Sequence, residues 1–584
     1  MKTTVLLTLF LFATIFANAQ APTITSFSPA GGPPGTLVTI TGTNLKGLTS
    51  FKIGDTTAIV VSDTALVVAN YGDTLLGMVM PGAVTGPVSV TTSGGTATSS
   101  VNFNIKTTSY PSVQQGKKLV GTGASGAASQ GYAVAISADG NTVIMGGYGD
   151  NSDMGAAWIF TRSGLMWSQQ GTKLVGIGAV GTSSYQAVAV SISADGNTAM
   201  VGAPSDNNGI GASWIFVRNG SGWIQQAKLI GSGAVNVPVG ASQGAGVCLS
   251  ADGNTAIIGG VSDNDGDGAA WIFTRTSGTW TQQGSKLMGS DAAAPADQGN
   301  AVSISADGKT AIVGGQQDNY GVGAVWVYTL SGGAWTQQGG KLVGNGASGT
   351  ASQGSSVAIS SDGNTIIEGG PIDSNFVGAS WIFTRSGGIW TQQGTKLVGT
   401  GAIREPVQGV SVSISADGNT SMIGGYGDHD STGAVWIFTR SGGVWTQQGS
   451  KLTGTGAVGA AQQGSWQMLS ADGNTAIVGG PYDNGQTGAS WIFVSAETDG
   501  IPAIENKKDI LSVYPNPNNG VFTIQSPSEG FYSIVNSLGQ TVQTFKINAA
   551  NNYSVNIECL NSGIYFIVGT DGVQTTGQKV VVAK

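Results

Sequence analysis

The chain has 584 residues, 24 of them basic and 32 acidic, giving a net charge of −8 with only 10% charged residues. That length exceeds what one core can organise, so several domains are expected. The lack of clustered Lys and Arg excludes a nucleic-acid partner, whose binding draws on neutralised phosphates. The only Cys residues, Cys248 and Cys559, lie in different regions, which excludes a disulfide scaffold.

Lys2 precedes an apolar run from Val5 to Phe16 and the small-x-small ending Ala17-Asn18-Ala19. This reads as a secretory signal peptide over residues 1–19, cleaved near Ala19–Gln20. The run is shorter than the roughly 20 residues that span a bilayer, and no other run approaches that length, so no transmembrane segment is expected after cleavage.

Residues 21–106 hold short Thr/Val-rich alternating runs, such as Leu37-Val38-Thr39-Ile40-Thr41 and Pro87-Val88-Ser89-Val90-Thr91, punctuated by Gly and Pro. The pattern predicts a small immunoglobulin-like β-sandwich. The Ile24-x-x-Phe27-x-Pro29-x-x-Gly32 opening, the Gly35-Thr36-x-Val38-x-Ile40-x-Gly42-x-Asn44-Leu45 strand and the closing Gly95-Thr96-Ala97-Thr98-Ser99 resemble the IPT/TIG family. That resemblance implies a spacer or protein-contact module.

Residues 110–497 repeat one unit seven times. Its turn Asp recurs at Asp139, Asp195, Asp252, Asp307, Asp362, Asp417 and Asp472, in steps of 56, 57, 55, 55, 55 and 55. A Trp keeps step at Trp158, Trp214, Trp271, Trp326, Trp381, Trp436 and Trp491. Four short strands per unit, with an Asp-Gly hairpin turn between the first two, predict the blades of an all-β propeller. The Trp-x-Gln-Gln strand that ends each unit occurs six times, from Trp167 to Trp445, whereas Gln114-Gln115-Gly116-Lys117-Lys118-Leu119 stands alone before the first unit. Strand 112–120 is therefore expected to complete the seventh blade and close the ring, removing an exposed edge.

The units resemble the FG-GAP repeats of integrin-type propellers, on residues such as Thr310-Ala311-Ile312-Val313-Gly314-Gly315 and Gly323-Ala324-Val325-Trp326-Val327-Tyr328. The resemblance implies adhesion or ligand binding. It does not bring the family's calcium loop, because the Ala-Asp-Gly-Asn turn is short and holds one carboxylate where Ca²⁺ needs about 6–8 oxygen ligands.

Chain direction puts the first-to-second and third-to-fourth connections on one uniform face. The longer, variable connections lie on the other face, where binding is expected. There an Asp precedes each Trp by eight residues, from Asp150 to Asp483, and reads as an Asx-turn former. The tentative ligand-binding residues are Asp263, Asp265 and Asp267, whose alternating carboxylates are also the one candidate Ca²⁺ site, together with Asp428, His429, Asp430 and Trp466. The Asp263 loop lacks the later bidentate Glu of an EF-hand. His429 is the single His, so a multi-His metal site is excluded, and no nucleophile-elbow motif accompanies it. No catalytic residue and no cofactor are assigned. Glu368 stands where other units carry an aliphatic residue, without explanation at this level.

Residues 498–509 read as a polar linker and 510–584 as a third small β-sandwich. Tyr514-Pro515-Asn516-Pro517, Leu538-Gly539-Gln540, Leu560-x-x-Gly563-Ile564-Tyr565 and the terminal Lys579-Val580-Val581-Val582 resemble the type A sorting domain of the type IX secretion system. The resemblance implies the secretion machinery as a partner. It also implies a protein that is released or attached outside a Gram-negative outer membrane. The sequence thus favours a secreted or surface binding protein with a glycan or protein ligand; the alternatives are a propeller lyase or hydrolase acting on glycans and a passive surface-layer component.

Overall fold

A computed structural model describes residues 20–54, 65–236, 239–293, 295–496 and most of 512–583. The segments expected as signal peptide and linker, together with Pro517, Leu538-Gly539 and Cys559, lie outside the described residues. The fold is all-β. No helix among the described residues is long and apolar enough to cross a membrane. The chain divides into two compact units, residues 1–495 and 496–584.

In the first unit, residues 23–105 form two four-stranded sheets. One contains Thr23–Ser28, Leu37–Thr43, Thr74–Val79 and Ala65–Asn70; the other contains Gly31–Gly32, Gly95–Ile105, Gly86–Thr92 and Leu48–Ile53. Their alternating inward residues, among them Val38, Ile40, Phe51, Val88 and Phe103, make one buried core.

Seven four-stranded antiparallel sheets follow. Blade 1 runs Ala133–Ile136, Thr142–Gly147, Ala156–Ser163 and Met166–Gln169 from inside to outside. Blade 7 has Gln467–Leu469, Thr475–Gly480 and Ala489–Val494, and its outermost strand is Val113–Gln114. Phe493 and Val494 pair with Gln114 and Val113, and Leu119 and Ser490 exchange backbone bonds at 2.7 and 3.0 Å. The inner strand of blade 7 also contacts that of blade 1, so the ring is closed.

The seven repeated tryptophans are completely buried. Each lies against a glycine of the preceding segment that leaves no room for a Cβ, and all but Trp214, which has Ala203 there, lie against a second such glycine in their own blade. For Trp158 these are Gly121, on the segment entering from blade 7, and Gly147 of its own second strand. The indole N–H is donated to the carbonyl of the residue after the first glycine, from Trp158 to Thr122 at 2.8 Å and from Trp436 to Thr400 at 2.9 Å, except that Trp326 donates to the Asp291 carboxylate at 2.9 Å. Each Trp therefore joins its blade to the outer segment of the previous one.

The Asp-Gly turns form a second belt. The turn residue of each of the first six blades donates its amide to the next blade's turn, from Ala138 to Ala194 and onward through Ala251, Ala306, Ser361 and Ala416 to Ala471, at 2.8–3.1 Å. The turn Asp itself is local, as Asp139 accepts from the Ser137 hydroxyl and the Asn141 amide.

This belt is covered. Val68, Met78 and Met80 of the N-terminal sandwich are buried against Ala138 and Ala194, with Leu37, Leu66 and Leu76 packed around them towards Ala251, Ala306 and Ala471. Gly35 meets the Ala471 backbone so closely that a Cβ there would lie 2.3 Å from it. Thr108 donates to Asp417 at 2.6 Å at the edge of the contact.

The second unit pairs a three-stranded sheet (Ser512–Tyr514, Phe522–Gln525, Ser554–Ile557) with a four-stranded one (Thr541–Ile547, Gly530–Asn536, Gly563–Gly569, Gly577–Val582). Phe522, Ile524, Ile534, Ile557 and Ile567 fill the space between them.

Replacing Trp326 by Ala empties an indole-sized space between two blades. It should cost about 3–5 kcal/mol in denaturant unfolding; a loss below about 1 kcal/mol would show that the indole does not hold the blades.

Candidate functional site, the variable-loop face

The face opposite the sandwich carries the longer loops, and a repeated device fixes them. Each loop Asp is buried, and its Oδ1 accepts an amide from the preceding loop: Asp150 from Ser125, Asp263 from Val235 and Asp428 from Ile403, at 2.7–2.8 Å. Its other oxygen meets the Lys of its own blade's outer segment in all seven blades. Six of these pairs measure 2.5–2.6 Å, for example Lys173 with Asp150, and the seventh joins Lys286 to Asp263. The Asx-turn expected at these Asp residues is replaced by this cross-loop clamp. A buried carboxylate with one cation and one amide has its charge compensated on the spot.

After each Asp the chain makes a short left-handed turn of two residues, such as Asn264 (φ 51°) and Asp265 (φ 59°) or His429 (φ 49°) and Asp430 (φ 57°). Non-glycine residues tolerate this region poorly, Asn and Asp best, which accounts for the Asn that follows five of the seven Asp residues.

The tentative site residues fall into separate places. Asp263 is engaged by Lys286 and the Val235 amide, Asp265 is exposed on the turn, and Asp267 accepts from the Asn264 side chain at 2.5 Å. They are not gathered into a cage, and no group of three acidic, His or Cys side chains suited to a metal occurs among the described residues. Asp428 is buried against Lys451 at 2.5 Å, whereas His429 is exposed and Asp430 pairs with Arg404 in solvent.

Trp466 lies elsewhere, at the loop-face end of the blade 7 inner strand. It stacks on Tyr132 with ring centroids 6.4 Å apart and planes 26° apart. Tyr132 meets Tyr148 edge-to-face at 4.5 Å, and Tyr148 meets Tyr185 at 5.8 Å. All four rings are half-buried, and Tyr482 beside them is exposed. Burial, then the neighbouring phenols Tyr148 and Tyr482, raise the Tyr132 hydroxyl above its ordinary pKa. Burial also leads the rise at Tyr148, opposed by a bond from Ser129. These phenols stay neutral in the physiological range. The sequence reading named Trp466 alone; the four tyrosines become visible only when the blades are laid over one another position by position.

Glu368 is wholly buried in the second strand of blade 5, opposite Val357 and Trp381, and neither oxygen has a partner. The nearby Gly344 amide is given to Gln353 instead. Desolvation holds this carboxyl well above the usual carboxylate range.

Two family models match. Residues 22–109 match the IPT/TIG domain and residues 512–583 the secretion system C-terminal sorting domain. The chain therefore carries both domains, and the repeats between them fall under neither match. No curated protein matches the chain. Solved structures similar to it include the hydrazine synthase of Kuenenia stuttgartiensis (15% identity, TM-score 0.42), covering 64% of this chain and 97% of that one. A fungal alcohol oxidase of the AA5 family in complex with copper has 14% identity, TM-score 0.39 and coverage of 81% and 100%. A protein from Lactobacillus plantarum has 13% identity, TM-score 0.39 and coverage of 63% and 92%.

Two outcomes are expected. A raised folded pKa leaves stability intact below the unfolded value near 4.3 and erodes it as pH rises. Glu368→Val should thus gain about 1–3 kcal/mol at pH 4, by removing an unsatisfied buried group, and more at pH 8. A gain of equal size at both pH values in thermal unfolding would contradict a neutral buried acid. Calcium titration should leave the melting temperature unchanged, and a saturable rise abolished by Asp265→Asn would restore the Asp263 loop as a cation site.

Proposed function

We propose that the protein is a binding or adhesion module exported by the type IX secretion system and displayed at, or released from, the surface of a Gram-negative cell. The C-terminal sorting domain supports the route. The observation that carries the binding role is the division of the propeller: the N-terminal sandwich occupies the turn face, and the variable loops lie on the opposite one. Loops on a rigid scaffold are where recognition concentrates. A non-catalytic role is supported by the placement of His429, exposed on its turn beside an Arg404–Asp430 pair, with Asp428 already committed to Lys451. The resemblance of the blades to FG-GAP repeats is consistent with adhesion. In this reading the repeats keep the integrin-type blade and have exchanged its calcium loop for a plain Asp-Gly turn.

Deleting residues 510–584 should trap the protein in the periplasm, read by fractionation and surface proteolysis. Normal surface delivery of that truncation would overturn the route.

A further inference from the structure

The seven blades serve as controls for one another, since a residue required by the architecture recurs in all of them. Five aromatics break that pattern and converge on a single sector. Where blade 7 has Trp466, the other blades have Ala, Gly or Ser; where blade 1 has Tyr132, the others have Val, Ala, Asn or Ser. Tyr482 replaces Gly, Ser, Gln or Ile, and Tyr148 is matched by a tyrosine in one other blade only, Tyr426. Tyr185 sits before the inner strand of blade 2 at φ 52°, at a position that Ser129, Ser242, Asp297, Ser352, Val407 and Gln462 fill elsewhere with φ 52–59°. Packing the blade does not require it, because the other six blades pack without a ring at that position.

We infer that Tyr132, Tyr148, Tyr185, Tyr482 and Trp466 form a stacking platform for a neutral glycan at the loop-face end of the inner strands. The inference rests on the loop face being the binding face and names the class of ligand it takes. Two properties select a sugar. The rings offer half-exposed faces held in fixed, unequal orientations by edge-to-face and stacked contacts. Such faces suit the C–H side of a pyranose, since the aromatic quadrupole is negative over the ring. The polar groups beside them are phenols, the Ser129 hydroxyl and the Asp153 carboxylate. These can exchange hydrogen bonds with sugar hydroxyls, whereas the lysines of blades 7 and 1, Lys118 and Lys173, are already compensated by Asp483 and Asp150 and so do not call for an anionic ligand.

The test titrates the full chain with neutral oligosaccharides, namely β-glucan, xylan, mannan and chitin fragments, following tryptophan fluorescence and calorimetric heat. At least one class should bind saturably. Tyr185→Ala and Tyr148→Ala should each weaken it at least tenfold without changing the melting temperature. Tyr426→Ala, at the equivalent position in blade 6, should bind as the parent does. Absence of binding by every neutral fragment, or unchanged binding by both tyrosine variants, would overturn the platform. If a protein or charged polysaccharide instead binds and Arg404→Ala or His429→Ala weakens it while the tyrosine variants do not, the glycan platform falls and the loop face remains the binding face. If no loop-face substitution alters any binding, both fall.

Discussion

Seven buried indoles hold this propeller together. Each is pressed against a glycine of the segment arriving from the blade before and, except in blade 2 with its Ala203, a glycine of its own blade, and each ties its N–H to that segment. The contact is useful only if every blade has a predecessor. The first blade finds its predecessor in the seventh, through the Val113–Gln114 strand and the segment after it. Closure and tryptophan burial are thus one constraint. Without the N-terminal strand the seventh sheet would keep an open edge, and Trp158 would lose the Gly121 and Thr122 that cover it.

A rigid ring leaves two faces with different duties. On one, short turns pass a backbone bond from blade to blade, and small Ala side chains leave a flat apolar floor on which Met78 and Met80 of the sandwich are buried. Small side chains there are a requirement of docking, since a larger residue at Ala138, Ala194, Ala251, Ala306 or Ala471 would hold the sandwich away. On the other face, each loop is anchored at its root by a buried Asp–Lys pair. The chain between those anchors is free to change composition, and it does: one sector has accumulated tyrosines and another carries the Arg404–Asp430 pair. Fixed roots with variable tips reconcile a strict repeat with a specific site.

Much of the architecture was written in the periodicity. The step of the Trp and turn Asp residues reveals the blades, and the orphan Gln114–Leu119 segment beside six Trp-x-Gln-Gln strands reveals how the ring closes, because both are local patterns repeated at a fixed interval. Docking of the sandwich was not legible. Its contact is made by ordinary aliphatic residues such as Val68 and Leu76, which read as strand interior, against alanines that read as turn filler. The loop Asp was recognisable as structural, but its partner Lys lies some 23 residues further on, across the blade, or in blade 7 some 365 residues earlier, and no local rule connects the two. The site was the least visible part. Tyr132 and Tyr185 are unremarkable in their own loops and become a cluster only when the closed ring brings blades 7, 1 and 2 side by side.

The division of labour between the faces is the claim on which the rest turns, and hydroxyl-radical footprinting of the intact chain tests it directly. Met78 and Met80 should be protected from oxidation while Tyr482, Tyr185 and the outer-rim Met166, 75% exposed, are labelled readily. Oxidation of Met78 and Met80 at the rate of Met166 would mean that the turn face is open, and would remove the reason for assigning recognition to the loops.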